Sequence, residues 1–150
     1  MKEKLLVSAC LLGENCKYSG GNNYDPAVSA LAERYELVPV CPERLGGLPT
    51  PRVPSERVGD KVLTRDGRDV TEAFRLGAAR ALDIARAHGV RRALLQERSP
   101  SCGSGVVYDG TFSGRLVPGQ GVTARLLEEH GIRVYGGDRS KALPDEIGGE

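Results

Sequence analysis

Lys4-Leu5-Leu6-Val7-Ser8-Ala9-Cys10 opens the chain with the signature of a short buried strand that ends on a cysteine. Two later stretches repeat the arrangement. Glu36-Leu37-Val38-Pro39-Val40 is a second strand stopping at Cys41, and Arg92-Ala93-Leu94-Leu95-Gln96 is a third, leading into Ser99-Pro100-Ser101-Cys102-Gly103. Ile132-Arg133-Val134-Tyr135 makes a last strand. Pro39 cannot donate a ladder hydrogen bond, so the second strand is expected at a sheet edge or with an irregularity.

Helices fall between these strands. Asp25-Pro26 has the form of an N-cap followed by proline at the first helical position, predicting a helix through about Tyr35. Residues 71–88 give the clearest helix: Phe74, Ala78, Ala81, Leu82 and Ala85 share one face, and Gly89 follows as its C′ residue. Gly121 opens another helix that runs to about His130. Residues 42–57, with four prolines and Gly46-Gly47, read as irregular. Residues 61–63 with the Asp66-Gly67 turn suggest one hairpin, and Tyr108-Asp109-Gly110 a second. The alternation predicts an α/β fold: a single three-layer, Rossmann-like domain with a mainly parallel sheet and small β-hairpins. Its ordered core is expected at about residues 3–136, with a polar tail over 137–150.

Composition narrows the function classes. A chain of 150 residues can bury enough surface to be stable without covalent staples. Its 21 basic and 20 acidic residues leave a net charge of +1, which offers no electrostatic footprint for polymeric nucleic acid or a membrane surface. Only residues 5–7 form an apolar run near the start, short of a signal-peptide core, and no stretch is long enough for a membrane helix. A cytoplasmic location is expected, where thiols stay reduced and cysteine clusters more often mean metal or catalysis than disulfides.

The chain has four cysteines and two histidines. In open α/β sheets ligands bind beyond the carboxyl ends of the strands, so Cys10, Cys41 and Cys102 should meet on one rim. Cys16 lies in the loop after the first strand, within reach of the same area. No C-x-x-C pair occurs, which weakens a zinc ribbon or a thioredoxin-like site. The plain alternative is that all four are small buried hydrophobes. Against it, they sit among loop-type residues: Gly13 and Asn15, Pro42, Pro100 and Gly103. His88 and His130 each precede a glycine at a helix end, where histidine caps carbonyls. Any metal site would therefore be all-thiolate, whether zinc or an iron–sulfur cluster.

Ser8-Ala9-Cys10-Leu11-Leu12-Gly13, Cys16-Lys17-Tyr18-Ser19-Gly20-Gly21, Cys41-Pro42-Glu43, Gly46-Gly47-Leu48-Pro49, Pro51-Arg52-Val53-Pro54 and Arg98-Ser99-Pro100-Ser101-Cys102-Gly103 together resemble the DUF523 family, whose characterised members are thiouracil desulfidases. Tyr108-Asp109-Gly110-Thr111-Phe112 and Gly119-Gln120-Gly121-Val122 also match its pattern. The resemblance spans about residues 5–135. It implies an oxygen-sensitive [4Fe–4S] cluster on three cysteines, with one open iron that takes the sulfur of a thiolated pyrimidine base or nucleotide while water replaces it. It also implies transient dealings with iron–sulfur assembly machinery.

Cys10, Cys41 and Cys102 are the expected ligands, because strand ends hold side chains rigidly. Cys16, in a Gly/Asn loop, is a neighbouring thiol, a transient sulfur acceptor or an alternative ligand. Glu43, two residues after Cys41, is the expected base for water, and Ser101 a hydrogen-bond donor or relay; the resemblance points to the same two positions. Arg52 and Gly121 are expected on the substrate side, Gly121 because a helix N-terminus attracts anions. Gly119-Gln120-Gly121-Val122-Thr123-Ala124 fits the dinucleotide fingerprint only weakly, since it does not open the first βα unit. The competing reading from another class is a non-catalytic metal-binding or sulfur-carrier protein.

Overall fold

The computed structural model describes residues 2–96 and 99–136; the expected polar tail and Arg98 lie outside the described residues. The chain runs β1 (Glu3–Ser8), a 3-10 turn (Ala9–Leu12), α1 (Pro26–Ser29) with a second 3-10 turn (Ala30–Glu33), β2 (Tyr35–Val40) and α2 (Pro42–Leu45). It continues through β3 (Ser55–Val58), β4 (Lys61–Thr64), α3 (Thr71–Ala87), β5 (Arg92–Leu95), β6 (Val106–Tyr108), β7 (Leu116–Pro118), α4 (Val122–Glu129) and β8 (Arg133–Gly136).

Four strands pair in parallel in the order β2-β1-β5-β8, so the expected α/β class and parallel sheet hold. β2 is an edge, where the missing N–H of Pro39 is tolerated. Strand alternation sends side chains to two faces. Leu6, Ala93 and Leu95 pack with Leu82 and Ala85 of α3 and with Ala124 and Leu127 of α4. Leu5, Val7 and Leu94 pack on the opposite face with Val28 of α1 and with Leu31 and Tyr35. The sheet is thus the middle of three layers.

α3 forms where its pattern predicts. The Asp69 carboxylate accepts the Thr71 N–H at 2.9 Å at its start. At its end Gly89 has φ +68° and the Val90 N–H reaches Ala85 O at 2.9 Å, a glycine-dependent stop. α1 begins as expected, with Asp25 Oδ1 accepting from Ala27 N. It is shorter than the reading to Tyr35, because Tyr35 is already paired with Glu3 in the sheet.

Two expectations change. The segment read as irregular contains α2 and β3: Pro42 occupies the first turn of α2, where proline costs no hydrogen bond. β4 pairs with β3 across Gly59 and Asp60, whereas the Asp66-Gly67 turn adds a single bridge between Leu63 and Asp69. The second hairpin, β6–β7, lies where expected. α2 and α3 touch backbone to backbone: a Cβ on Gly77 would stand 1.8 Å from Pro42 O, and one on Gly46 2.0 Å from Ala73 O.

Candidate active site

The sheet reverses direction of growth at β1, with β2 on one side and β5 on the other, which opens a crevice at the strands' carboxyl ends. Cys10 sits in the 3-10 turn directly after β1, and Cys41 directly after β2 as the N-cap of α2. Cys102 lies in the turn between β5 and α4, well beyond the end of its strand. A cavity of about 480 Å³ occupies the crevice, lined among others by Cys10, Cys16, Cys41, Cys102, Glu43 and Arg52. The rim expected from strand ends is present, and all four cysteines are free thiols.

Cys16 lies in the loop after the first strand and reaches the same cavity, as expected, but it is buried there. It is 1% exposed and stands between two other thiols. Its hydrogen bond to Cys10 is the main influence holding Cys10 below the ordinary thiol value, helped by Asn23, whose Nδ2 lies 3.6 Å from Cys10 Sγ. The same Cys10 contact, with burial, pushes Cys16 up to about 11. Cys41 is pushed far up, first by its bond with Cys16 and then by burial. Burial raises Cys102 to about 12, against the pull of the Ser8 and Ser101 hydroxyls.

Crowded, partly desolvated thiols of this kind favour a soft cation that displaces their protons. Among the described residues, no three His, Cys, Asp or Glu side chains converge on one point as a mononuclear site requires. An all-thiolate donor set along one cavity suits a polynuclear cluster, in which each iron takes its own cysteine. The histidines stay remote in helix caps: His88 ends α3, and His130 Nδ1 lies 3.0 Å from Leu126 O.

Glu43 lies in the first turn of α2 and lines the cavity. Arg52 Nε donates to Glu43 Oε2 at 2.7 Å, and Nη2 contacts the same oxygen. The rest of the guanidinium is engaged as well: Nη2 donates to Cys16 O at 3.0 Å, and Nη1 to Pro49 O and Thr50 Oγ1 at 3.2 Å. Arg52 was expected to meet substrate; its donors are instead spent on the protein, so it orients Glu43 and ties the Cys16 loop to α2. Oε1 of Glu43 has no hydrogen-bond partner among the described residues.

Ser101 and Gly121 sit behind the cavity wall. Ser101 is 1% exposed, and its Oγ lies 2.7 Å from Thr123 Oγ1. The N-terminus of α4, expected to face an anion, is capped by this turn: Val122 N donates to Pro100 O at 2.9 Å, and Thr123 N to Ser101 O at 2.8 Å. Gly121 N itself donates to Gly103 O at 2.7 Å. A Cβ on Gly121 would stand 2.3 Å from Ser101 C, so glycine is needed for close backbone approach rather than for substrate. α4 thus fixes Cys102, doing for that residue what strand ends do for Cys10 and Cys41. Sequence reasoning did not single out the outer wall, which Glu56, Arg65 and Phe112 help to form. The signal was the motif 108–112, which matched the family pattern but carried no assigned role.

The comparisons with known proteins converge on this arrangement. A Bacillus subtilis (strain 168) protein described as uncharacterized protein YbbK is 43% identical over 140 residues, covering 87% of this chain and 93% of its own. A solved structure of a [4Fe-4S]-dependent thiouracil desulfidase, TudS, is 47% identical and superposes with a TM-score of 0.90 over 95% of both chains. The 2-thiouracil desulfurase family profile matches residues 5–138. With the cysteine motifs, the parallel fold and the crevice already in place, these matches settle the assignment: the chain belongs to the 2-thiouracil desulfurase family of enzymes.

Proposed function

We propose that the protein replaces the sulfur of a thiolated pyrimidine, as base or nucleotide, by oxygen and releases sulfide. The observation that carries this reading is the meeting of four thiols and the Glu43 carboxylate on one cavity at the switch point of the sheet. Cys10, Cys41 and Cys102 hold a [4Fe–4S] cluster, for which an all-sulfur donor set without histidine is suited. When bound, such a cluster supplies a thiophilic Lewis acid with one open iron, which suits capture of a poor sulfide leaving group.

The protein's own groups supply the rest. Glu43 accepts a proton from water through Oε1, while Arg52 holds Oε2 and fixes the carboxylate at the cavity. Water contributes the oxygen and two protons, and sulfide leaves carrying them, so no electrons are exchanged. Ser101, buried beside Cys102 with its hydroxyl 2.7 Å from Thr123 Oγ1, helps hold the Cys102 turn against α4. Cys16 completes the sulfur-rich floor between Cys10 and Cys41.

Anaerobic reconstitution with iron and sulfide tests the reading. The protein should turn brown and release sulfide from 2-thiouracil or its nucleotide. Cys10→Ala, Cys41→Ala and Cys102→Ala should each lose iron, and Glu43→Gln should keep iron but lose turnover. Colourless protein holding zinc would sink the proposal in favour of a metal-binding or sulfur-carrier protein. Iron lost from Cys16→Ala but kept in Cys10→Ala would overturn the ligand choice.

A further inference from the structure

Phe112 has φ +57°, the single positive-φ non-glycine residue among those described. A bulky side chain in that region is strained and persists only where its surroundings over-determine it. Here they do. Glu56 Oε1 accepts from Gly110 N at 2.9 Å and from Phe112 N at 3.1 Å, reaching across from β3 to the loop after β6. Glu56 is 8% exposed, so its carboxylate is anchored inside the protein. The Asp109 carboxylate tightens the same loop by accepting from Thr111 N at 2.9 Å. Gly110 comes so close to β3 that a Cβ there would stand 2.7 Å from Arg57 O.

This construction places Phe112 in the wall of the cavity that holds the cysteines, with the Arg65 guanidinium 5.7 Å from its ring centroid. Tyr18 and Tyr108 line the same cavity, but of the three rings only that of Phe112 is free of a hydroxyl and has its own amide bound by the buried Glu56 carboxylate. In-plane hydrogen bonds to a planar heterocycle fix its edges, and a flat apolar surface is what fixes its plane. Base–aromatic stacking supplies one that tolerates changes on the ring edge.

We infer that Phe112 is the stacking surface for the thiolated ring and that Glu56 is a positioning residue, acting through the Gly110 and Phe112 amides to keep that surface in place. The inference rests on the proposed substrate class. It explains why a motif of no evident chemistry, Tyr108-Asp109-Gly110-Thr111-Phe112, sits against the catalytic rim.

Reconstituted enzyme carrying Phe112→Ala, Phe112→Tyr, Glu56→Ala and Glu56→Gln tests it, with 2-thiouracil as the probe. Stacking contributes to ground state and transition state alike, so the loss should fall on KM rather than kcat. Phe112→Ala should raise KM about tenfold at unchanged iron content. Phe112→Tyr, which keeps the ring, should stay within about twofold of wild type. Glu56→Gln keeps an acceptor oxygen and should also stay near wild type, whereas Glu56→Ala should match Phe112→Ala. The double variant Glu56→Ala/Phe112→Ala should be no worse than Phe112→Ala alone, because both changes remove one surface.

An unchanged KM in Phe112→Ala, or multiplying effects in the double variant, would overturn the inference. Calorimetric binding of 2-thiouracil to the iron-loaded protein reads the stack without turnover, and Kd should rise in step with KM. Wild type that binds 2-thiouracil but releases no sulfide refutes the proposed reaction, while loss of that binding in Phe112→Ala still upholds the stack.

Discussion

Gly77→Ala puts a methyl group where α2 and α3 meet, and two opposing effects decide its outcome. Gly77 lies inside α3, where alanine is favoured over glycine by about 1 kcal/mol through helix propensity. Against this, the new Cβ would stand 1.8 Å from Pro42 O, while ordinary contact begins at 3.4 Å, so the elements must part by about 1.6 Å. The obstacle is a backbone carbonyl that also accepts the Gly46 N–H at 2.9 Å, so no rotamer change relieves it. Overpacking costs about 1–3 kcal/mol, and a clash with backbone belongs at the top of that range. The balance is a loss of about 1–2 kcal/mol, a fall in Tm of roughly 3–6 °C for a chain of this size. Because α2 carries Glu43 and begins at Cys41, iron bound per chain should fall as well. Thermal unfolding followed by circular dichroism, beside an iron assay, measures both. Gly105→Ala, with nothing within 4 Å of its Cβ, is the control and should be neutral. A Tm equal to or above wild type in Gly77→Ala would refute the reasoning, since propensity would then have won.

Three further outcomes are expected. Arg52→Met leaves the Glu43 carboxylate, 16% exposed, without its partner, and should lower stability by about 2–4 kcal/mol in urea unfolding; Glu43→Gln added to it should recover part of the loss. Gly121→Ala should separate α4 from the Cys102 turn and reduce iron bound after reconstitution, with the cysteines themselves untouched. Burial raises the Tyr35 phenol from 10.0 to about 12, so the folded state keeps a proton that the unfolded state loses first. That contribution to stability is complete below pH 10 and disappears as pH rises toward 12, at up to about 1.4 kcal/mol per pH unit. Tyr35→Phe should flatten this slope in alkaline unfolding curves, and an unchanged slope would contradict it.

What was legible in the sequence is what local chemistry determines. The runs before Cys10 and Cys41, the Asp25-Pro26 cap, the Gly89 stop and the stripe from Phe74 to Ala85 all specify their elements through neighbours a few residues away. The edge position of β2 followed from the one donor that Pro39 lacks. Proline counting concealed α2 and β3, because Pro42 helps a helix at its first turn while the others in the same stretch do not. Site geometry was legible only where a strand end sufficed. The burial of Cys16 between Cys10 and Cys41, the turning of Arg52 toward Glu43 and the need for glycine at position 121 against Ser101 each depend on how separate loops close on one another in the fold, and spacing carries no trace of that. Glu56 shows this most clearly: a single carboxylate in a short strand, reading two amides more than 50 residues further along.

The hairpins β3–β4 and β6–β7 share no strand with the parallel sheet. Cys10 and Cys41 arrive at the cavity from the sheet's rim, and the outer wall with Glu56, Arg65 and Phe112 arrives from hairpins and loops outside the sheet. Such a division of labour makes the outer wall an exchangeable part. On the proposed function, hairpins transplanted from a relative with another preference should retune which heterocycle is accepted while Cys10, Cys41, Cys102 and Glu43 stay where they are. New specificities would then be reachable through the loops alone, without disturbing the residues proposed to hold the cluster.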